Sequence, residues 1–125
     1  MLSRKQLWFV SHPSGSPQHT PTFFNAINRF AEEHPDIKVV LPHKEEDEVQ
    51  LTKDEIAKAD LVLVEVSIPS TGSGIELGWA NAAKKEIIAF HHGGSEPSPA
   101  LKFVTSQIII YVSEDDIISN LQDLA

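Results

Sequence analysis

The chain has 125 residues, 41% of them hydrophobic and 22% charged, with a formal net charge of −8 and no cysteine. This is the profile of one globular domain, residues 1–125, and it excludes disulfides, thiolate zinc sites and a cysteine nucleophile. Lys and Arg total 10 and never cluster beyond pairs such as Arg4-Lys5, so the basic face that a DNA or RNA binder needs is missing.

No apolar segment approaches the roughly 20 residues of a membrane-spanning helix. The apolar run near the N-terminus is too short for a signal peptide. A soluble cytoplasmic protein is the expectation.

"QLWFV" (6–10) is a short apolar run that stops at "SHPSGSP", predicting a buried strand and a loop. Thr20 as N-cap with Pro21 at the first helical position predicts a helix start. Phe23, Ile27, Phe30 and Ala31 then fall on one face at helical spacing, and Pro35 ends the helix. "IKVVLP" (37–42) predicts a second strand, followed by an acidic loop that includes 45–48. Thr52-x-x-Glu55 has the capping-box pattern and predicts a short second helix. "LVLVEV" (61–66) is apolar on both faces, as suits the middle of a parallel sheet.

A Gly/Ser/Thr-rich loop (67–74) leads into a third helix that ends at Lys84-Lys85, where cations suit a helix C-terminus. "EIIAF" predicts the fourth strand, "HHGGSEPSP" its loop and "ALKFV" a short helix. "QIIIYV" predicts the fifth strand. "SEDDIISNLQDL" closes the chain as a helix capped by Ser113 with acids in its first turn. Five β-α steps with short connections predict an α/β fold: a doubly wound five-stranded parallel sheet with helices on both faces.

Ligands of open parallel sheets sit beyond the C-terminal ends of the strands, near the switch in strand order. Three loops occupy that rim: 11–17, 67–74 and 91–99. All three are rich in Ser, Gly, Pro and His, which points to a small-molecule site or simply to turn chemistry. The loop before Glu76 is neither a P-loop nor a dinucleotide fingerprint, and no nucleophile elbow is present. Gly72, Ser73 and Gly74 can still form an anion-binding concavity of backbone amides at a helix start. Glu76 has two competing readings. Ser73-x-x-Glu76 matches a capping box. The same position suits an ionised carboxylate acting as a nucleophile in glycosyl transfer.

The stretch "ADLVLVEVSIPSTGSGIELGWANAAKKEII" resembles the nucleoside 2-deoxyribosyltransferase family, especially its branch of deoxynucleoside 5′-monophosphate N-glycosidases. The shared pattern is Ala59-Asp60, an apolar strand, Glu65, Pro69-Ser70, then Gly74-x-Glu76-Leu77-Gly78 and an Ala-rich helix. The resemblance implies a flavodoxin-like Rossmann three-layer sandwich and an N-glycosidic bond as the target. It puts the nucleophile at Glu76, which by family precedent forms a glycosyl-enzyme intermediate resolved by water or by a second base. Ser70 falls where the nucleotide-hydrolysing branch has a phosphate-contacting serine. Ser98 lies close to another such serine, which in that branch comes from a neighbouring subunit. Trp8 falls where members have an aromatic residue at the end of the first strand, near sugar and base.

The expected substrate-binding set is therefore Trp8, Ser11, His12, Ser70, Gly72, Gly74 and Ser98. The partner is a small-molecule nucleoside or nucleotide, no cofactor is implied, and the resemblance implies a homo-oligomer.

Two positions depart from the family pattern. Thr52 stands where the family has an aspartate that assists proton transfer to the base, with Asp47 and Asp54 as possible substitutes. The loop after the first strand carries His12 and no arginine. The alternative is a non-catalytic module that holds a nucleotide or metabolite without turnover.

His91 and His92, adjacent on a strand end, point to opposite faces and make a poor metal pair. Each reads as a ligand-contacting or a solvated loop histidine. Glu65 reads as a carboxylate hydrogen-bonded to the following loop or as a second catalytic acid. Trp79 and Phe90 read as core or subunit contacts.

Overall fold

The computed structural model describes residues 5–12, 20–41 and 49–125. Five strands, β1 (Gln6–Ser11), β2 (Ile37–Val40), β3 (Leu61–Glu65), β4 (Ile87–His92) and β5 (Ile108–Tyr111), form one sheet in the order β2-β1-β3-β4-β5. Every neighbouring pair is parallel. This is the expected α/β fold, with the flavodoxin-like strand order. The chain steps from β1 outward to β2 and then returns past β1 to β3, so the switch in order lies between β1 and β3.

Helices α1 (Thr20–Glu33) and α4 (Glu114–Leu124) pack together on one face. Helices α2 (Val49–Lys58) and α3 (Thr71–Ala82) pack on the other. Strand alternation divides the core between the faces. Trp8, Val10, Leu61, Leu63, Ile88 and Phe90 join the α1–α4 layer. Phe9, Val62, Val64, Ile87 and Ala89 join the α2–α3 layer. Burial on both sides is why β3, Leu61–Glu65, is buried at every position.

At the opposite rim Asp60 joins β1 to β3. Its carboxylate accepts the Leu7 N–H at 2.8 Å, and its own N–H donates to the Leu7 carbonyl at 2.8 Å. The closing helix has the expected Ser113 cap, completed into a capping box by Asp116.

Several boundaries differ from expectation. Helix α2 begins at Val49, so Thr52 is a helix-interior residue, 3% exposed, rather than an N-cap. Thr20 is the first residue of α1; its side chain, the expected cap, lies outside the described residues, as do Asp47 and the acidic run 45–48. Strand β4 runs on through both histidines. The short helix expected at "ALKFV" is a five-residue 3-10 helix, Pro99–Phe103, within the β4–β5 connection. Helix α3 stops at Ala82, and Lys84 takes a left-handed φ of 58° while the Lys85 N–H bonds back to the Ala80 carbonyl. That is a Schellman stop, with a lysine where glycine is usual.

Candidate active site

The Gly/Ser/Thr stretch enters α3 three residues earlier than a Ser73 cap requires. Ser70 is the N-cap, with extended backbone (φ −142°, ψ 132°), and its hydroxyl accepts the Ser73 N–H at 3.4 Å. Glu76 is thus the sixth helical residue, beyond reach of its own cap, and the capping-box reading fails. Its carboxylate turns inward toward the end of β1. There Ser11 Oγ donates to Glu76 Oε1 at 2.7 Å, with both residues 0% exposed. Ser11 is the last residue of β1 and pairs with Val64 of β3, so this hydrogen bond sits at the β1–β3 switch. Gly72, one turn before Glu76, lies on the same helix face by helical spacing. His12 follows Ser11, with its ring edge-on to Phe24 of α1 at 4.8 Å.

The other flank of α3 borders a cavity of about 480 Å³. Its walls include Ser70, Ser73, Gly74, Leu77 and Gly78 of the helix start, and Ser98, Leu101 and Val104 of the β4–β5 crossover. Ser73 is 5% exposed, and its hydroxyl has no hydrogen-bond partner among the described residues. Ser98 caps the 3-10 turn by accepting from the Ala100 N–H at 3.3 Å.

The expected site residues therefore divide. Ser11 and Glu76 meet at the switch, with His12 next to Ser11 in the chain and Gly72 one turn before Glu76 on α3, whereas Ser70, Gly74 and Ser98 line the cavity. Trp8 joins neither group. It is the third of six residues in β1, 1% exposed, stacked on Phe30 at 5.3 Å, with its Nε1–H donated to Gln6. It is a core residue, because it shares strand parity with Val10 and faces α1 rather than the rim.

Glu65 anchors the rim. Ser67 donates its N–H to Glu65 Oε1 at 2.5 Å and its hydroxyl to Oε2 at 2.9 Å, and the Tyr111 hydroxyl also donates to Oε2. Ser67 Oγ in turn accepts the His92 N–H at 2.8 Å. One buried carboxylate thus ties together the ends of β3, β4 and β5, which is the structural alternative for Glu65. Burial, and then the hydrogen bond to Glu65, push the Tyr111 hydroxyl well above the usual tyrosine range.

The two histidines diverge as strand geometry requires. His91 Nδ1 lies 3.1 Å from Ser95 Oγ, whereas the His92 ring meets Tyr111 edge-on at 5.6 Å. Ser95 donates to the His92 carbonyl at 2.6 Å, which leaves its oxygen to accept from His91 Nδ1–H. Among the described residues no three His, Asp or Glu side chains come together as a metal-binding group. Phe90 is fully buried in the core, and Trp79 is partly buried against α2 with the Lys53 ammonium 5.8 Å from its ring centroid.

Sequence reading missed Tyr111 and the Ser11–Glu76 bond. Tyr111 was recognisable only as an aromatic on a strand, and its partner is 46 positions away. Ser11 was visible as a rim residue but not as a partner of Glu76.

The fold and the Ser11–Glu76 pair at the switch define a flavodoxin-like α/β protein with a buried carboxylate at the rim where proteins of this fold class bind ligands. A curated relative from Syntrophotalea carbinolica, named "Putative 2'-deoxynucleoside 5'-phosphate N-hydrolase 1", is 43% identical over 54 residues, covering 42% of this chain. The match spans 38% of that relative's length. The resemblance to the nucleotide-hydrolysing branch of the nucleoside 2-deoxyribosyltransferase family thus extends to a curated relative. No family model matches the chain.

Among solved structures, a CMP N-glycosidase from Clostridium botulinum superposes with a TM-score of 0.73 at 23% identity, covering 96% of this chain and 100% of its own. A conserved protein from Enterococcus faecalis V583 reaches 0.65 at 12% identity over 96% and 99% of the two chains. A flavodoxin-like domain from Synechococcus reaches 0.59 at 18% over 94% and 97%. These likenesses establish the fold. Among the described residues no helix is long and apolar enough to cross a membrane.

Proposed function

We propose that the protein is an N-glycosidase of a nucleoside or deoxynucleoside, or of its 5′-monophosphate, with Glu76 as the nucleophile. The observation that carries this reading is the inward-turned Glu76 carboxylate held by Ser11 at the β1–β3 switch, where ligands of this fold bind. The sequence relative named as a deoxynucleoside 5′-phosphate N-hydrolase and the fold neighbour named as a CMP N-glycosidase support the substrate class.

In the first step a Glu76 oxygen bonds to C1′ of the sugar. The C1′–N bond breaks, its electron pair leaves with the base, and the base takes up a proton. Water then attacks C1′, loses a proton and frees the sugar, restoring the Glu76 carboxylate; a second base in place of water gives transfer instead. Ser11 holds Glu76 Oε1 in place and so fixes which oxygen faces the sugar. Gly72 puts backbone without a side chain next to the nucleophile, and His12 stands at the mouth of the same rim. On the cavity side, Ser70 keeps a hydroxyl proton to donate to a phosphate oxygen while its oxygen caps α3. Residues 1–125 are read as one catalytic domain, with the cytoplasm as its expected compartment.

The test is chromatography of the purified protein incubated with a panel of deoxynucleosides and their monophosphates. Release of free base from at least one of them is expected. Thr52 favours a second reading, since it puts no carboxylate where the family pattern has its assisting aspartate. A binding module would show ligand-induced thermal stabilisation and no base release from any member of the panel.

A further inference from the structure

Strand parity sorts the titratable groups at the rim onto the two faces of the sheet. Ser11 shares parity with Phe9, so its bond to Glu76 lies in the α2–α3 layer. His12 has the opposite parity and meets Phe24 of α1. Glu65 shares parity with Leu61 and Leu63 and bonds Tyr111, which puts it on the α1–α4 face. His91 has the parity of Ala89 and faces α3. Its strand is two away from β1, about 10 Å by strand spacing, and its Nδ1 is engaged by Ser95.

On α2, Asp54 is exposed. Thr52, 3% exposed, lies one turn before Ile56 on the stripe that packs against the sheet. Among the described residues, the layer that holds Glu76 thus offers hydroxyls rather than acids: Ser11, whose proton is given to Glu76, and Thr52. A neutral base leaves a sugar readily only with a proton, and the acid that supplies it is typically worth ~10²–10⁴ in rate.

The charge at this rim is one-sided. The loops 11–17, 67–74 and 91–99 contain no Lys or Arg. The connection from β2 to α2, residues 41–48, has Lys44 against Glu45, Glu46, Asp47 and Glu48. Glu65, Glu76 and Glu96 add carboxylates. A cleft lined by one sign of charge raises the local concentration of the opposite ion.

We propose that the base of the substrate is itself cationic, an N-alkylated purine or a pyridinium joined to the sugar. The inference rests on Glu76 as the nucleophile and names the class of leaving group. A Glu76 oxygen bonds to C1′ and the C1′–N bond breaks. The electron pair of that bond passes to the base and cancels its positive charge, so the base leaves neutral and takes up no proton. Water then attacks C1′, gives a proton to solvent and frees the Glu76 carboxylate. The acidic rim gathers the cation, and the positive charge that moves to the sugar in the transition state stays beside Glu76.

Matched pairs that differ by one methyl group test it: 7-methylguanosine against guanosine, and 7-methyl-2′-deoxyguanosine against 2′-deoxyguanosine. Base release by the full chain is followed by chromatography over a blank without protein, with Glu76→Gln alongside. In at least one pair the methylated member is expected to react at least ~100-fold faster in kcat/KM than its neutral counterpart, and only with Glu76 intact. Its kcat/KM should fall several-fold as salt rises from about 0.05 M to about 0.5 M, because the rim charges are screened. Release from a neutral member within about 10-fold of its methylated counterpart overturns the inference and leaves the glycosidase reading standing. A salt-independent kcat/KM for the methylated member, or release confined to neutral deoxynucleosides and their monophosphates, does the same. No release from either pair or from that wider panel overturns both.

Discussion

Ser11 and Glu76, 65 positions apart in the chain, meet in a buried hydrogen bond of 2.7 Å between the last residue of β1 and the second turn of α3. The bond orients one carboxylate oxygen and leaves the carboxylate on the face of α3 that looks toward the switch in strand order. With Glu76 as the nucleophile, Ser11 is a positioning residue. Ser11→Ala should lower kcat by roughly 10-fold to 100-fold with little change in KM, the signature of an interaction that matters chiefly in the transition state. Steady-state kinetics on the best substrate of the panel would measure it. An unchanged kcat with a raised KM would make Ser11 a substrate contact instead.

Tyr111 and Glu65 form the second buried pair. Tyr111 is the only tyrosine in the chain, so its ionisation can be followed without ambiguity. Its hydroxyl is raised above the ordinary value of about 10 by burial first and by Glu65 second. The folded state therefore favours the protonated phenol. Its contribution to stability is complete below about pH 10 and is lost as pH rises beyond that. The tyrosinate absorbance should stay absent from the native protein above pH 10 and appear on unfolding. Tyr111→Phe should cost about 1–3 kcal/mol, since a buried carboxylate loses a donor. Denaturant melts of the two proteins across the alkaline range would test both statements.

Lys84 holds a left-handed backbone conformation at the end of α3. A side chain there costs about 1 kcal/mol that glycine avoids. Lys84→Gly should raise stability by up to about 1 kcal/mol without affecting activity, readable as a higher midpoint in urea.

Ser70 caps α3. Ser70→Ala should destabilise by about 1 kcal/mol, and Ser70→Gly by only a few tenths. If Ser70 also contacts the 5′-phosphate, both variants should raise KM for a monophosphate more than for the matching nucleoside. Equal effects on the two substrates would confine Ser70 to capping.

Much of the fold was legible because it rests on local signals. Apolar runs of strand length alternate with helical spacing, and Ser113 with its following acids marks the α4 start without ambiguity. The α3 start was harder, because Ser70 and Ser73 are both capable caps three residues apart. Which one serves depends on where β3 ends and on Glu76 finding Ser11, and neither is a local property. Thr52 also looked like a cap, but α2 begins three residues upstream of that capping pattern, at Val49. Trp8 was expected in the site because the resemblance put it at the end of the first strand; β1 runs on to Ser11, so Trp8 lies mid-strand in the core. The Glu65–Tyr111 pair depends on register across three strands, which no spacing in the chain reveals.

The most direct measurement is base release by Glu76→Gln beside wild type, at equal concentration and on the same substrate. Glutamine keeps an oxygen that can accept from Ser11, so circular dichroism and thermal midpoint should change little. A nucleophilic Glu76 predicts that release falls by at least ~10³-fold in the variant. Base release at the wild-type rate from a folded Glu76→Gln would contradict it.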